Sequence, residues 1–91
     1  MEIARVIGNV WATKKDQKLN GLKLLVLKAL VDKEREKEGL IVASDIVGAG
    51  VGDLVLISKG GSARRAVGNI DAPIDAAVIG IVDSIEVFED E

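Results

Sequence analysis

Through most of the chain hydrophobic and polar positions alternate with a period of two, the spacing that sends successive side chains to opposite faces of a β-strand. In EIARVIGNVWA, residues 2–12, Ala4, Val6, Gly8 and Val10 fall on one face and Ile3, Arg5, Ile7 and Asn9 on the other, which predicts a first strand. TKKDQKLNG follows, a polar connection ending in Asn20-Gly21, a dipeptide suited to positive φ. LIVASDIV (40–47) and DLVLIS (53–58) predict two further strands with GAGVG between them. Ser62 stands where it would cap a short helix over 63–67, and Gly68 would end it. After NIDAPID, the segment AAVIGIVDSIEVF alternates for a dozen residues and gives the clearest strand pattern. Ala77, Ile79, Ile81, Ile85 and Val87 face one way there, Val78, Val82 and Phe88 the other. The tail EDE is expected to fray.

One segment is ambiguous on pattern alone. LKLLVLKALVDKEREKE, residues 22–38, is rich in helix formers, and Leu22, Leu25, Val26 and Ala29 could form a helical stripe. The same apolar run would equally suit a strand, with DKEREKE as a solvated face or charged hairpin tip. Counted as a strand, it makes five, and five strands with one short helix between the fourth and fifth suggest a small barrel. An OB-like barrel usually carries its helix between strands three and four, so the match to that topology is partial.

Composition narrows the function. Ninety-one residues are expected to form one domain spanning 1–91, marginal in self-sufficiency and helped by a staple or a partner. With no cysteine and no histidine there are no disulfides, no thiolate chemistry and neither preferred zinc ligand, which leaves self-association. The composition is 48% hydrophobic but only 2% aromatic, so the core must be built of Val, Ile, Leu and Ala. No apolar run approaches the ~20 residues of a membrane span, and the N-terminus reads as a strand and not a signal peptide, so a cytoplasmic protein without a membrane partner is expected. The net charge of −3, from 15 acidic and 12 basic side chains, and the scattered basic residues disfavour nucleic acid. Trp11 could serve as an interface anchor or as a core or barrel-end residue.

Half of the ten glycines fall between Gly48 and Arg65, which raises the question of a phosphate cradle. Gly48 and Gly50 meet the first two positions of the dinucleotide fingerprint, but the sixth is Asp53 and a strand follows where a helix should start. No Gly-Lys-Ser/Thr sequence exists for a phosphate loop. Gly60, Gly61 and Ser62 with Arg64 and Arg65 could hold an anion, or form a capped turn with surface arginines. Asp71 and Asp75 sit four apart around Pro73, with no histidine or nucleophile to serve; capping or a salt bridge to another subunit suits them better than acid/base chemistry. Asp45, Asp53 and Asp83 lack the spacing of a calcium loop. No catalytic residue, metal site or cofactor is expected.

Taken in order, ARVIGNVWATKKDQKLNGLKLLVL and VASDIVGAGVGDLVLISKGGSARRAVGNIDAPIDAAVIGIVDSI resemble the EutN/CcmL family, the pentameric vertex proteins of bacterial microcompartment shells such as carboxysomes and ethanolamine-utilisation compartments. The likeness covers nearly the whole chain. It implies an all-β, five-stranded OB-like barrel with one short helix, residues 22–30 being a strand, that assembles as a cyclic ring. It further implies a structural, non-enzymatic role at the shell vertex, as a homo-pentamer (or hexamer) beside hexameric shell proteins. Gly60, Gly61, Ser62, Ala63 and Arg64 would lie toward the ring axis, and Gly48, Gly50, Gly52, Asp71 and Asp75 would be structural or interface positions. The alternative is an OB-like module binding an anionic ligand or single-stranded nucleic acid, which would need the stacking aromatics and basic face absent here.

Overall fold

A computed structural model describes residues 1–13 and 15–88. Five strands, β1 (Glu2–Asn9), β2 (Lys23–Ala29), β3 (Ile41–Asp45), β4 (Leu54–Lys59) and β5 (Ala76–Val82), close into a barrel in the order β1-β2-β3-β5-β4. Every pairing is antiparallel except β3 with β5, where Ser44 stands opposite Ala77 and Asp45 opposite Val78. The single helix α1 (Gly61–Ala66) joins β4 to β5, and a 3-10 turn (Gln17–Leu19) interrupts the long connection after β1.

Small and large side chains alternate around the interior. Ala4, Val6, Leu25, Leu27, Ala43, Val55, Ile57, Ala76 and Val78 are all at most 1% exposed and pack as one cluster. On adjacent strands Ala43 stands beside Leu25 and Ala4 beside Val55, so small and large side chains neighbour one another on the inner face, while Ile57 and Val78 pair as two larger ones. The barrel is thereby filled without an aromatic ring.

Residues 23–29 are a strand, paired on one edge with β1 and on the other with β3. Helix propensity is a weak prior, and here two ladders override it. The charged segment that follows is a hairpin tip: Val31 N–H donates to the Arg35 carbonyl and Lys37 N–H to that of Ala29.

Two strict alternations break at bulges. In β1, Val6 pairs with Leu27 but Gly8 with Val26, so Ile7 is an extra residue and Gly8 leaves the face of Ala4 and Val6. In β5, Ile57 pairs with Val78 and Leu56 with Gly80, which makes Ile79 the extra residue and separates it from the phase of Ile81. Ala76 and Val78 are the residues of that strand in the core cluster. The strand ends at Val82 and not near Phe88, because the residues beyond it have no ladder partner in the single chain. The acidic tail 89–91 lies outside the described residues.

Candidate functional site

The turn between β3 and β4 is built around one carboxylate. Asp45 accepts from the backbone N–H groups of Val47 (3.0 Å), Gly48 (3.2 Å) and Ala49 (2.9 Å). Its side chain is fully buried. Lys23 Nζ lies 3.5 Å from the same carboxylate and donates to the Ala49 carbonyl at 3.1 Å. Gly48 and Gly52 adopt φ of +81° and +94°, which side-chain-bearing residues rarely enter. Asp53 closes the turn by accepting from Gly50 N–H at 2.9 Å, and Gly52 N–H and the Asp53 carbonyl pair with Val6 of β1.

At the other glycine cluster, Gly60 holds φ 62° and ψ −136°, donates its N–H to the Asp75 carbonyl and opens α1. No side chain caps this helix, so Ser62 is not its cap; it is an exposed residue of the first turn. Gly68 at φ +80° follows the last turn and ends the helix, as the sequence predicts. Ala63 is fully buried. Arg64 folds back to donate to the Ile74 carbonyl at 3.1 Å, which ties the helix to the 69–75 loop, whereas Arg65 is exposed. Inside that loop Asn69 accepts from Asp71 N–H at 3.0 Å. The carboxylates of Asp71 and Asp75 are exposed and cap nothing among the described residues. In this chain Asn69 does the capping expected of the aspartates.

A band of charge joins the strand ends on the outer surface. Glu2 takes Lys59 at 2.6 Å and Lys37 at 3.5 Å, and Arg5 meets Glu36 at 2.6 Å. The hydrogen bond from Lys59 holds the Glu2 carboxyl below its usual range, helped by the charges of Lys59 and Lys37 and opposed by partial burial. At the hairpin tip, Asp32 accepts from the N–H groups of Glu34 and Arg35 and from the Arg35 guanidinium, which likewise holds it low.

Reactive chemistry has little to work with on this surface. Among the described residues no group of three or more His, Cys, Asp or Glu side chains is placed to hold a metal ion, and no helix is long and apolar enough to cross a membrane. What the single chain does expose is apolar: Leu40, Val42, Ile46, Val51, Ile70 and Trp11 all stand in solvent. So much exposed aliphatic surface on a small barrel marks association.

The family model for ethanolamine utilisation protein EutN/carboxysome matches residues 1–83. The chain belongs to the EutN/CcmL family. It is 44% identical to the carboxysome shell vertex protein CcmL of Synechocystis, over 96% of this chain and 87% of that relative. It is 46% identical to the shell vertex protein PduN of Salmonella typhimurium, over 93% and 98%. The solved GrpN pentameric microcompartment shell protein of Rhodospirillum rubrum superimposes with a TM-score of 0.86 at 43% identity, covering 97% of this chain and all of that one. These relatives are structural shell proteins and not enzymes, in keeping with a surface organised for contact.

Within this EutN/CcmL chain, Gly60 through Arg64 form one corner, exposed at Gly61 and Ser62 and buried at Ala63, with Asp75 beside it, while Gly48, Gly50 and Gly52 lie in the separate turn held by Asp45. Sequence reasoning missed Asp45 and Lys23 as the organisers of that turn. The available signal was Asp45 three residues before Gly48, the spacing of a side chain that hydrogen-bonds the backbone just after it. For Trp11 the core reading is excluded, since the side chain is 90% exposed.

Proposed function

We propose that this chain forms a cyclic pentamer that fills the fivefold vertices of a bacterial microcompartment shell. The observation that carries the reading is the match of nearly the whole barrel, in sequence and in structure, to shell vertex proteins, among them the pentameric GrpN. The mechanism is geometric. A sheet of sixfold tiles is flat and cannot close, so a polyhedral shell needs fivefold corners, and a ring of identical heterologous contacts supplies one. Hexameric shell proteins are the neighbours such a corner requires. Exposed aliphatic positions such as Val42 and Ile46 supply surface to bury in the ring, at about 25 cal/mol per Å² before entropic costs.

In this ring the Gly60–Arg64 corner faces the axis. The reading is supported by the exposure of Gly61 and Ser62, by a backbone at Gly60 that only glycine adopts readily, and by the absence of any atom within 4 Å of a Cβ built at Gly60. Arg64 is engaged with Ile74 in its own subunit, so Arg65 is the guanidinium with reach to a neighbour, and the exposed Asp71 and Asp75 are its acceptors.

Native mass spectrometry over a range of concentrations tests the proposal. A dominant pentamer is expected; a hexamer would move the chain from the corner to the facet, and a concentration-independent monomer would remove the vertex role.

A further inference from the structure

The only two aromatic side chains of the protein are both solvent-exposed, Trp11 at 90% and Phe88 at 89%, and they lie at opposite ends of β1. Trp11 forms a wall of a groove of about 290 Å³ with an apolar floor of Val10, Leu22 and Leu24 and with Lys15 and Lys23 at its rim. Lys23 is engaged with Asp45, so Lys15 is the rim cation with reach outward, and the connection bearing it, KKDQK, carries three lysines and one aspartate. The C-terminal segment has the complementary character. It reads IEVFEDE, with apolar residues at every second position to Val87, then Phe88, and acids on both sides of that ring.

The segment cannot fill the groove of its own chain. Ile85 and Val87 share a depression with Ile3, Leu30 and Val31 at the start of β1. Trp11 lies eight residues further along from Ile3, roughly 25 Å at strand rise, whereas Phe88 is one residue, under about 4 Å of chain, beyond Val87. A single chain therefore presents a basic, apolar groove at one end and, at the other, a segment beyond β5 whose sequence carries Phe88 among acids, the arrangement a head-to-tail ring contact requires.

We propose that the C-terminal segment from Ser84 onward docks in the Trp11 groove of the next copy in the ring, with Phe88 against the indole and the acids of the segment toward Lys15 and Lys18. The proposal rests on the cyclic assembly above and adds to it the contact that links successive subunits. Aromatic anchors in a groove with a charged rim are the usual composition of an interface hot spot.

Trp11 is the sole tryptophan, and its emission reports the contact directly. Emission and iodide quenching are read on rings of the full chain, of a variant ending at Asp83, and of Phe88→Ala, each with its subunit number established by native mass spectrometry. Expected are blue-shifted, quencher-protected emission in the full-length ring, red-shifted accessible emission in both variants, and recovery when a synthetic peptide of residues 83–91 is added to the truncated ring. A charge exchange is a second reading. Lys15→Glu with Lys18→Glu should expose Trp11, and adding Glu86→Lys with Glu89→Lys should protect it again. An intact full-length ring with accessible Trp11 overturns the docking while leaving the vertex reading in place, as does a truncated ring in which Trp11 stays protected. Protection that arises only on adding hexameric tiles assigns the groove to the tiles and overturns the proposal too. A full-length monomer with accessible Trp11 overturns both. If truncation dissolves the ring, Phe88→Ala, which keeps the backbone of the segment, decides: exposure of Trp11 in its ring supports the docking, and continued protection overturns it.

Discussion

Asp45 and Lys23 meet at the mouth of the barrel with Oδ2 and Nζ 3.5 Å apart, but they share the work unequally. The carboxylate is fully buried and takes three backbone N–H groups, while the ammonium is half exposed. Removing the acceptor leaves three donors and a charge without their partner; removing the donor leaves a carboxylate that still has three hydrogen bonds. Asp45→Ala should lose about 2–3 kcal/mol in a denaturant titration. Lys23→Met should lose under about 1 kcal/mol, because the ammonium is half exposed and the carboxylate keeps its three backbone hydrogen bonds.

Stability should also depend on pH through Glu2. Its carboxyl is held below the usual value near 4.5 by the Lys59 hydrogen bond first, then by the charges of Lys59 and Lys37. A depressed folded-state pKa means the unfolded state binds the proton more tightly, so the contribution is present above the unfolded value and is lost as pH falls through the folded one. The stability deficit of Glu2→Gln is therefore expected at pH 7, shrinking below about pH 4.5 and vanishing in stronger acid. The pair is partly exposed, so the deficit at pH 7 should be under about 1 kcal/mol and should be smaller still in high salt. Thermal melts of both proteins across pH and ionic strength provide the check; a deficit independent of pH would place the cause outside this ion pair.

Adjacent glycines should respond in opposite ways. Gly60 sits at φ 62° and ψ −136°, whereas Gly61 is the first residue of α1 and has no positive φ. A methyl group on Gly60 would meet nothing within 4 Å, so its penalty is backbone strain alone. Gly60→Ala should destabilise the subunit by about 1–3 kcal/mol. Gly61→Ala, in a helical position with only the end of the Arg64 side chain near, should be neutral or stabilise by up to about 1 kcal/mol. Equal effects from the two substitutions, measured by chemical denaturation, would be inconsistent with the Gly60 geometry.

How much of this was legible beforehand depends on the range over which each feature is determined. Period-two patterning located four of the five strands, because inward and outward positions must alternate wherever a sheet encloses a core, and Gly68 marked the end of the helix between the last two. It failed at Ile7 and Ile79, where a bulge adds a residue on one strand only; that is a property of the pair and not of either sequence. Residues 22–30 were undecided on propensity because their partners, β1 and β3, lie elsewhere in the chain, and the family resemblance resolved them. Ser62 looked like a helix cap by type and place, yet Gly60 begins the helix through a backbone angle that residue type alone does not announce. Among the candidate site residues, the glycines and aspartates were nominated by their types, while the carboxylate that holds the turn, Asp45, needed the fold around it.

Two buried hydroxyls give the last prediction. Ser44 and Ser58 stand on either side of Ala77, one on β3 and the other on β4, in a row of small residues across three strands. Both Oγ atoms are buried and have no hydrogen-bond partner among the described residues. A hydroxyl taken from water without a replacement costs free energy, so its removal should relieve that cost at little loss of volume. Ser44→Ala and Ser58→Ala are each expected to leave stability unchanged or raise it by up to about 1 kcal/mol. Ser44→Val, which puts a methyl in place of the hydroxyl and adds a second beside Leu24 and Ala77, should destabilise by about 1–3 kcal/mol through overpacking. The measurement separates subunit from assembly, because denaturation of the dissociated chain reads the first and ring dissociation the second. If Ser→Ala is neutral in the subunit but weakens the ring, the hydroxyl finds its partner across the interface. If it destabilises the subunit itself by more than about 1 kcal/mol, the hydroxyl has a partner inside the barrel wall and the row is not the simple small-residue contact it forms here.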